Sequence, residues 1–174
     1  IQRWIRDTGI RWGIDGASRC REGLPGFSEN TWQAGLDRLL LGYALGGRGE
    51  ELFMGILPHE DVAEGEAPVL GSFLSFVEKL FSFAASLEEK RDLAGWASHL
   101  GAALDTFFLA DGNEEEDLQA LRRALTDLAL LQSQSGLDER LGAGVLKSHL
   151  EEALREVGIG FGFITGGITF CALL

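Results

Sequence analysis

Apolar residues recur at three- and four-residue spacing along most of this chain, the period of helices with one buried face. The clearest stripes are Leu118, Leu121, Leu125, Leu128 and Leu131, then Leu146, Leu150, Leu154 and Val157. Trp32, Leu36, Leu39, Leu40 and Tyr43 share a face in the same way, and Asn30 stands where an N-cap belongs. Pro68 suits the first turn of a long helix reaching about Leu87. Its apolar set runs from Val69 and Leu70 through Phe73, Phe76, Val77 and Leu80 to Phe83, an arc wide enough to predict burial on several sides at the centre of the fold. Asp92 is the expected cap of a helix carrying Leu93, Trp96, Leu100, Leu104, Phe107 and Phe108. Two short helices precede these. One lies around Trp4 and Ile5 and is ended by Gly9; the other spans 17–22 and is stopped by Gly23 and Pro25. Residues 46–67 predict a loop, and Gly136 breaks the penultimate helix. After Gly158 the period is lost, and 161–164 and 168–174 predict extended chain. The expected fold is therefore all-α: a multi-helix domain over 1–160, then a short extended segment over 161–174.

A length of 174 residues, 45% hydrophobic and 24% charged, is enough for a core of ordinary composition. No uninterrupted run of 18 apolar residues occurs, so no membrane span is predicted. No charged segment followed by an apolar stretch opens the chain, so no secretory signal is visible and a cytoplasmic location is expected. Cys20 and Cys171 are isolated and suggest neither a zinc site nor a redox pair.

Charge changes the picture more. The net charge of −12 argues against strong non-specific binding to nucleic acid, whose phosphates require lysine and arginine. The distribution is uneven, however. Residues 1–48 hold seven arginines against five acids, a net of +2, and the remaining 126 residues carry −14. Trp4, Trp12 and Trp32 fall in this basic third. Arginine interleaved with tryptophan can hold a single strand by charge and stacking, which makes Arg3, Arg6, Arg11, Trp12, Arg19 and Arg21 a candidate DNA or partner surface. The same residues also fit tryptophans packed in a core under a solvated arginine rim.

The search for chemistry finds no constellation. No G-x-x-x-x-G-K-[ST] loop is present to cradle nucleotide phosphates, and Gly158-Ile159-Gly160-Phe161-Gly162 follows a helix rather than a strand. His149-Leu150-Glu151-Glu152 is not a metalloprotease motif. His59, Glu60 and Asp61 are too few for a metal site. Asp111, Asn113, Glu115 and Asp117 alternate like calcium ligands, but Glu116 occupies the position where the calcium loop needs glycine. No catalytic, cofactor-binding or metal-ligating residue is assigned, and a hydrolase using the scattered acids has no support.

Three blocks carry a family resemblance. They are Thr8-Gly9-Ile10-Arg11-Trp12-Gly13-Ile14-Asp15, the helix Thr31-Trp32-Gln33-Ala34-Gly35-Leu36-Asp37-Arg38-Leu39-Leu40-Leu41-Gly42-Tyr43-Ala44, and Phe163-Ile164-Thr165-Gly166-Gly167-Ile168-Thr169-Phe170-Cys171-Ala172-Leu173. Together they resemble the gamma subunit of exodeoxyribonuclease V, the RecC family. Members of that family are far longer, and this chain opens on Ile1 and stops within an apolar run, so an internal piece is expected. The resemblance implies a helicase-like subunit without its own ATP-binding motifs, working in double-strand-break repair and recombination. ATP and Mg²⁺ would be bound elsewhere in a RecBCD-type complex, whose other subunits and DNA are the implied partners. It also implies that 1–160 corresponds to the helical accessory subdomain 2B of related helicases. Residues 161–174 would then begin a strand of a neighbouring domain. A free-standing helical protein–protein interaction module is the alternative class.

Overall fold

The structure, a computed structural model, describes residues 1–46, 51–59, 62–109 and 115–156. These form seven α-helices: α1 Gln2–Asp7, α2 Gly16–Arg21, α3 Trp32–Leu45, α4 Ala67–Ser86, α5 Leu93–Phe107, α6 Glu115–Ser135 and α7 Ala143–Glu156. A 3₁₀ turn, Glu64–Glu66, leads into α4. Among the described residues there is no strand, only isolated bridges between Phe53 and Ile56 and between Arg91 and Leu141. The all-α class expected from the periodicity is the one observed. The expected extended segment at 161–174 and its boundary at 160 lie outside the described residues, as does Val157 of the last stripe.

The chain divides into two compact units, 1–82 and 83–174, with the division inside α4. The first unit is held by a core of Trp4, Leu36, Leu39, Leu70, Phe73 and Val77. Each such side chain, fully buried, contributes about 1.5–3 kcal/mol. Aromatic pairs tighten it: Trp4 lies 6.2 Å from Phe73 and Trp32 6.2 Å from Phe81, the latter edge to face.

Helix α3 departs from its sequence pattern in two ways. Its cap is Thr31, whose Oγ1 accepts from the Ala34 amide at 3.2 Å and donates to the Ser28 carbonyl at 2.6 Å. Asn30 instead takes a φ of 60°, and its carbonyl accepts from the Arg11 amide. The buried face is Gly35, Leu36, Leu39 and Gly42, while Leu40 and Tyr43 are exposed. Apolar periodicity is blind to glycine, yet glycine marks the tightest contacts here. A Cβ at Gly35 would meet Ile10 at 2.2 Å, and one at Gly42 would meet the His59 carbonyl oxygen at 1.7 Å.

Helix α4 is likewise not buried all round. Leu70, Phe73 and Val77 face the core, and Val69, Phe76 and Leu80 are exposed. By length and composition it is apolar enough to cross a membrane, with a mean hydropathy of 1.3 over its best window. Of that window 17% is buried, where Leu70, Phe73 and Val77 pack with Trp4, Leu36 and Leu39.

The second unit follows its periodicity except at two helix ends, where Leu131 of α6 is exposed and Phe108 stands exposed as the C-cap of α5. Leu93, Trp96, Leu128 and Leu146 form its core, with Leu150 packed against it. Asp92 caps α5 as expected, accepting from the Gly95 amide at 2.7 Å. Another α5 amide, that of Ala94, donates to the Gln132 side chain of α6. Arg91 and Leu141 exchange two backbone hydrogen bonds, and the Trp96 indole donates to the Leu141 carbonyl at 2.8 Å.

Candidate functional site

The basic segment does not form one uniform surface. Arg3 and Arg6 stand on α1, the first 3.5 Å from Glu66 and the second paired with Asp7 at 2.9 Å. Arg11 is exposed, its guanidinium donating to the Ile10 carbonyl, and Arg21 is exposed at the end of α2. Trp12 is half exposed, whereas Trp4 and Trp32 pack in the core of the first unit.

Arg19 has a different character. It is only 7% exposed. Its Nη1 donates to the carbonyls of Phe27 and Glu29, each at 2.8 Å, and its Nη2 to that of Trp12 at 3.0 Å. Its guanidinium carbon sits 4.5 Å from the Trp12 ring centre, a cation–π contact. The guanidinium thus gathers the loops on both sides of α2, and the bonds it makes there are the kind a phosphate would otherwise receive. Helix α2 presents it from a full capping box, in which Asp15 accepts from the Ser18 amide and Ser18 Oγ accepts from the Asp15 amide.

Arg38, unremarkable in sequence, performs the matching task on α3. Its Nη1 donates to the Thr8 carbonyl at 2.8 Å and its Nε to that of Leu57 at 2.9 Å. It thereby ties the end of α1 and the 51–59 segment to one helix. Beside it opens a cleft of about 440 Å³ lined by Asp15, Glu29, Asp37, Arg38, Ile56 and Leu57, among others. Three carboxylates and one guanidinium, itself held by carbonyls, give this lining a net negative charge, with Asp15 already accepting from the Ser18 amide and Asp37 from the Gln33 side chain.

A second cleft, of about 550 Å³, lies within the second unit and includes Glu89, Lys90, Arg91, Asp92, His99 and Arg140 in its lining. Glu89 pairs with Arg91 at 2.8 Å, and the Arg91 guanidinium lies over the Trp96 ring. His99 Nε2 is 2.8 Å from Ser86 Oγ. Because that hydroxyl also lies 2.6 Å from the Phe83 carbonyl, it donates there and accepts from the imidazole. Burial first, then the Arg91 charge, hold the imidazole below the usual histidine range, with Glu89 opposing. The hydroxyl beside His99 thus gives its proton to a carbonyl and not to the imidazole, and among the described residues no group of three or more metal-ligating side chains forms. Residues 60 and 61 and most of the acidic run after 110 lie outside the described residues.

Two small helical units joined in one chain, with polar side chains serving caps and loop ties, define the class: an all-helical domain. More specifically, the chain belongs to the family of the RecBCD enzyme subunit RecC fourth domain, whose model matches residues 1–158. RecC of Escherichia coli is 28% identical over 183 aligned positions that take in the whole chain and 15% of the relative. RecC of Mycolicibacterium smegmatis is 30% identical over 174 positions, again the whole chain and 16% of the relative. RecC of Haemophilus influenzae is 25% identical over 175, covering 15% of its length. The chain thus spans about 15% of the length of the curated relatives it matches.

Proposed function

We propose that this chain is a non-catalytic helical domain of the gamma subunit of an exonuclease V complex, a RecBCD-type helicase–nuclease. That complex acts in double-strand-break repair and recombination in the cytoplasm. The domain's work is contact with the other subunits and, secondarily, guidance of DNA. In this reading it corresponds to the accessory 2B subdomain of related helicases, and ATP and Mg²⁺ are bound elsewhere in the complex. The family match across residues 1–158 is the observation that carries the proposal. The side chains support it, because Arg19, Arg38 and Asp92 are used to hold loops and helix ends rather than to surround a reacting atom.

DNA guidance, where it occurs, belongs to Arg3, Arg6, Arg11, Trp12 and Arg21, with Arg19 acting from within by holding Trp12. So few cations give weak binding that falls steeply with salt. The test is an assay of the purified chain with ATP, Mg²⁺ and linear duplex DNA. No hydrolysis of ATP or DNA is expected. Turnover that co-purifies with the chain and vanishes when one of its own acids is replaced would overturn the non-catalytic assignment.

A further inference from the structure

The segment after α3 ends in a turn that displays apolar side chains instead of burying them. Phe53 and Ile56 exchange both backbone hydrogen bonds at 2.9 Å, closing a two-residue turn over Met54 and Gly55. The φ angles there are 50° and 82°, those of a type I′ turn. Such turns favour asparagine and glycine, because other L side chains resist a positive φ. Apart from glycine, Asn30 is the other described residue with a positive φ. Met54 therefore holds a conformation its side chain opposes, and it is 89% exposed, so packing within the described chain does not compensate. Leu52, Phe53 and Leu57 are exposed alongside it. The base of the turn is nonetheless fixed. Arg38 donates to the Leu57 carbonyl, the His59 amide donates to the Arg38 carbonyl, and the His59 backbone lies against Gly42.

The same turn forms one wall of the acidic cleft, where Gly55, Ile56 and Leu57 face a space shared with Glu29 and Asp37. An apolar tip beside an acidic cleft, in a chain of net charge −12, repels a phosphate backbone and complements a protein surface with a basic side chain. Interfaces combine these features: a flexible, polarisable anchor such as methionine in a socket, with a charged group at its rim.

Resting on the proposed role as a domain of a multisubunit assembly, we infer that residues 52–57 and the adjoining cleft form a docking surface for another protein subunit. Met54 and Phe53 enter an apolar socket on that subunit, and one of its arginines or lysines enters the cleft between Glu29 and Asp37.

The experiment uses the full-length subunit assembled with its partner subunits. A benzophenone amino acid at position 54 is expected to cross-link to a partner subunit on irradiation. Met54→Asn places Asn-Gly in the turn, so this variant should unfold at the same temperature as the parent or higher while weakening assembly tenfold or more. Glu29→Lys should also weaken assembly, more at low salt than at high. Cross-links to DNA or only to the same polypeptide, or unchanged assembly of Met54→Asn, would overturn the surface while leaving the subunit role intact. Failure of the unmodified subunit to assemble at all would remove that role and this inference with it.

Discussion

Single residues carry much of the first unit's order. Arg19 satisfies three backbone carbonyls from a buried position, and no other residue supplies a planar fork of five donors. Arg19→Ala should destabilise the chain by about 2 kcal/mol, since three part-buried carbonyls lose a charged donor and Trp12 loses its cation–π partner. Arg19→Lys should recover only part of this, because one ammonium cannot reach all three carbonyls. Urea unfolding followed by tryptophan fluorescence checks both, and a loss under about 0.5 kcal/mol for the alanine variant would refute the role. In the second unit His99 makes stability depend on pH. Its native pKa is depressed, so on acidification below the ordinary histidine value of about 6.5 the unfolded chain takes up a proton that the folded chain refuses. Stability should therefore fall as pH drops below that value and be insensitive to this group above it. His99→Gln should lose less stability between pH 7.5 and 5.5 than the parent, as measured by urea midpoints at the two values.

Among the elements, α5, α6 and α7 were legible from leucine spacing because their buried faces consist of large side chains: Leu93 and Trp96, Leu118, Leu125 and Leu128, then Leu146 and Leu154. Helix α3 was legible as a helix but not in its packing. Gly35 and Gly42 bring the backbone of this helix against Ile10 and His59, a contact that hydrophobic periodicity does not register. The one-residue shift of its cap has a local cause: Asn30 tolerates a positive φ, which leaves the capping position to Thr31. Thr31→Ala should therefore cost about 1 kcal/mol or somewhat more, since the hydroxyl both caps α3 and donates to Ser28. Asn30→Gly should be nearly neutral. The reverse order of effects in thermal unfolding would show that Asn30 is the cap after all. The breadth of α4's apolar arc predicted burial that unit one does not provide: Leu70, Phe73 and Val77 are buried against α1 and α3, Leu74 and Phe81 are partly buried there, and Val69, Phe76 and Leu80 are exposed.

For the whole molecule, the all-α class and the family were both accessible in the residues, the second through the blocks at 8–15 and 31–44. The candidate surface was less so. Spacing along the chain grouped Arg19 with the other arginines, and only the fold shows that its guanidinium faces inward. The turn at Met54 and the cleft beside it left no sequence signal beyond a single Met-Gly pair inside a loop, because their character depends on a φ angle and on acids brought in from 15, 29 and 37.

The central claim is that this helical domain works through contact with other subunits of a larger complex. Hydrogen exchange tests it most directly, comparing the free full-length subunit with the assembled complex peptide by peptide across residues 1–156. Assembly should slow exchange in at least one contiguous surface segment of this domain, with the core helices unchanged. Identical exchange throughout the domain in the free and assembled states would contradict the account.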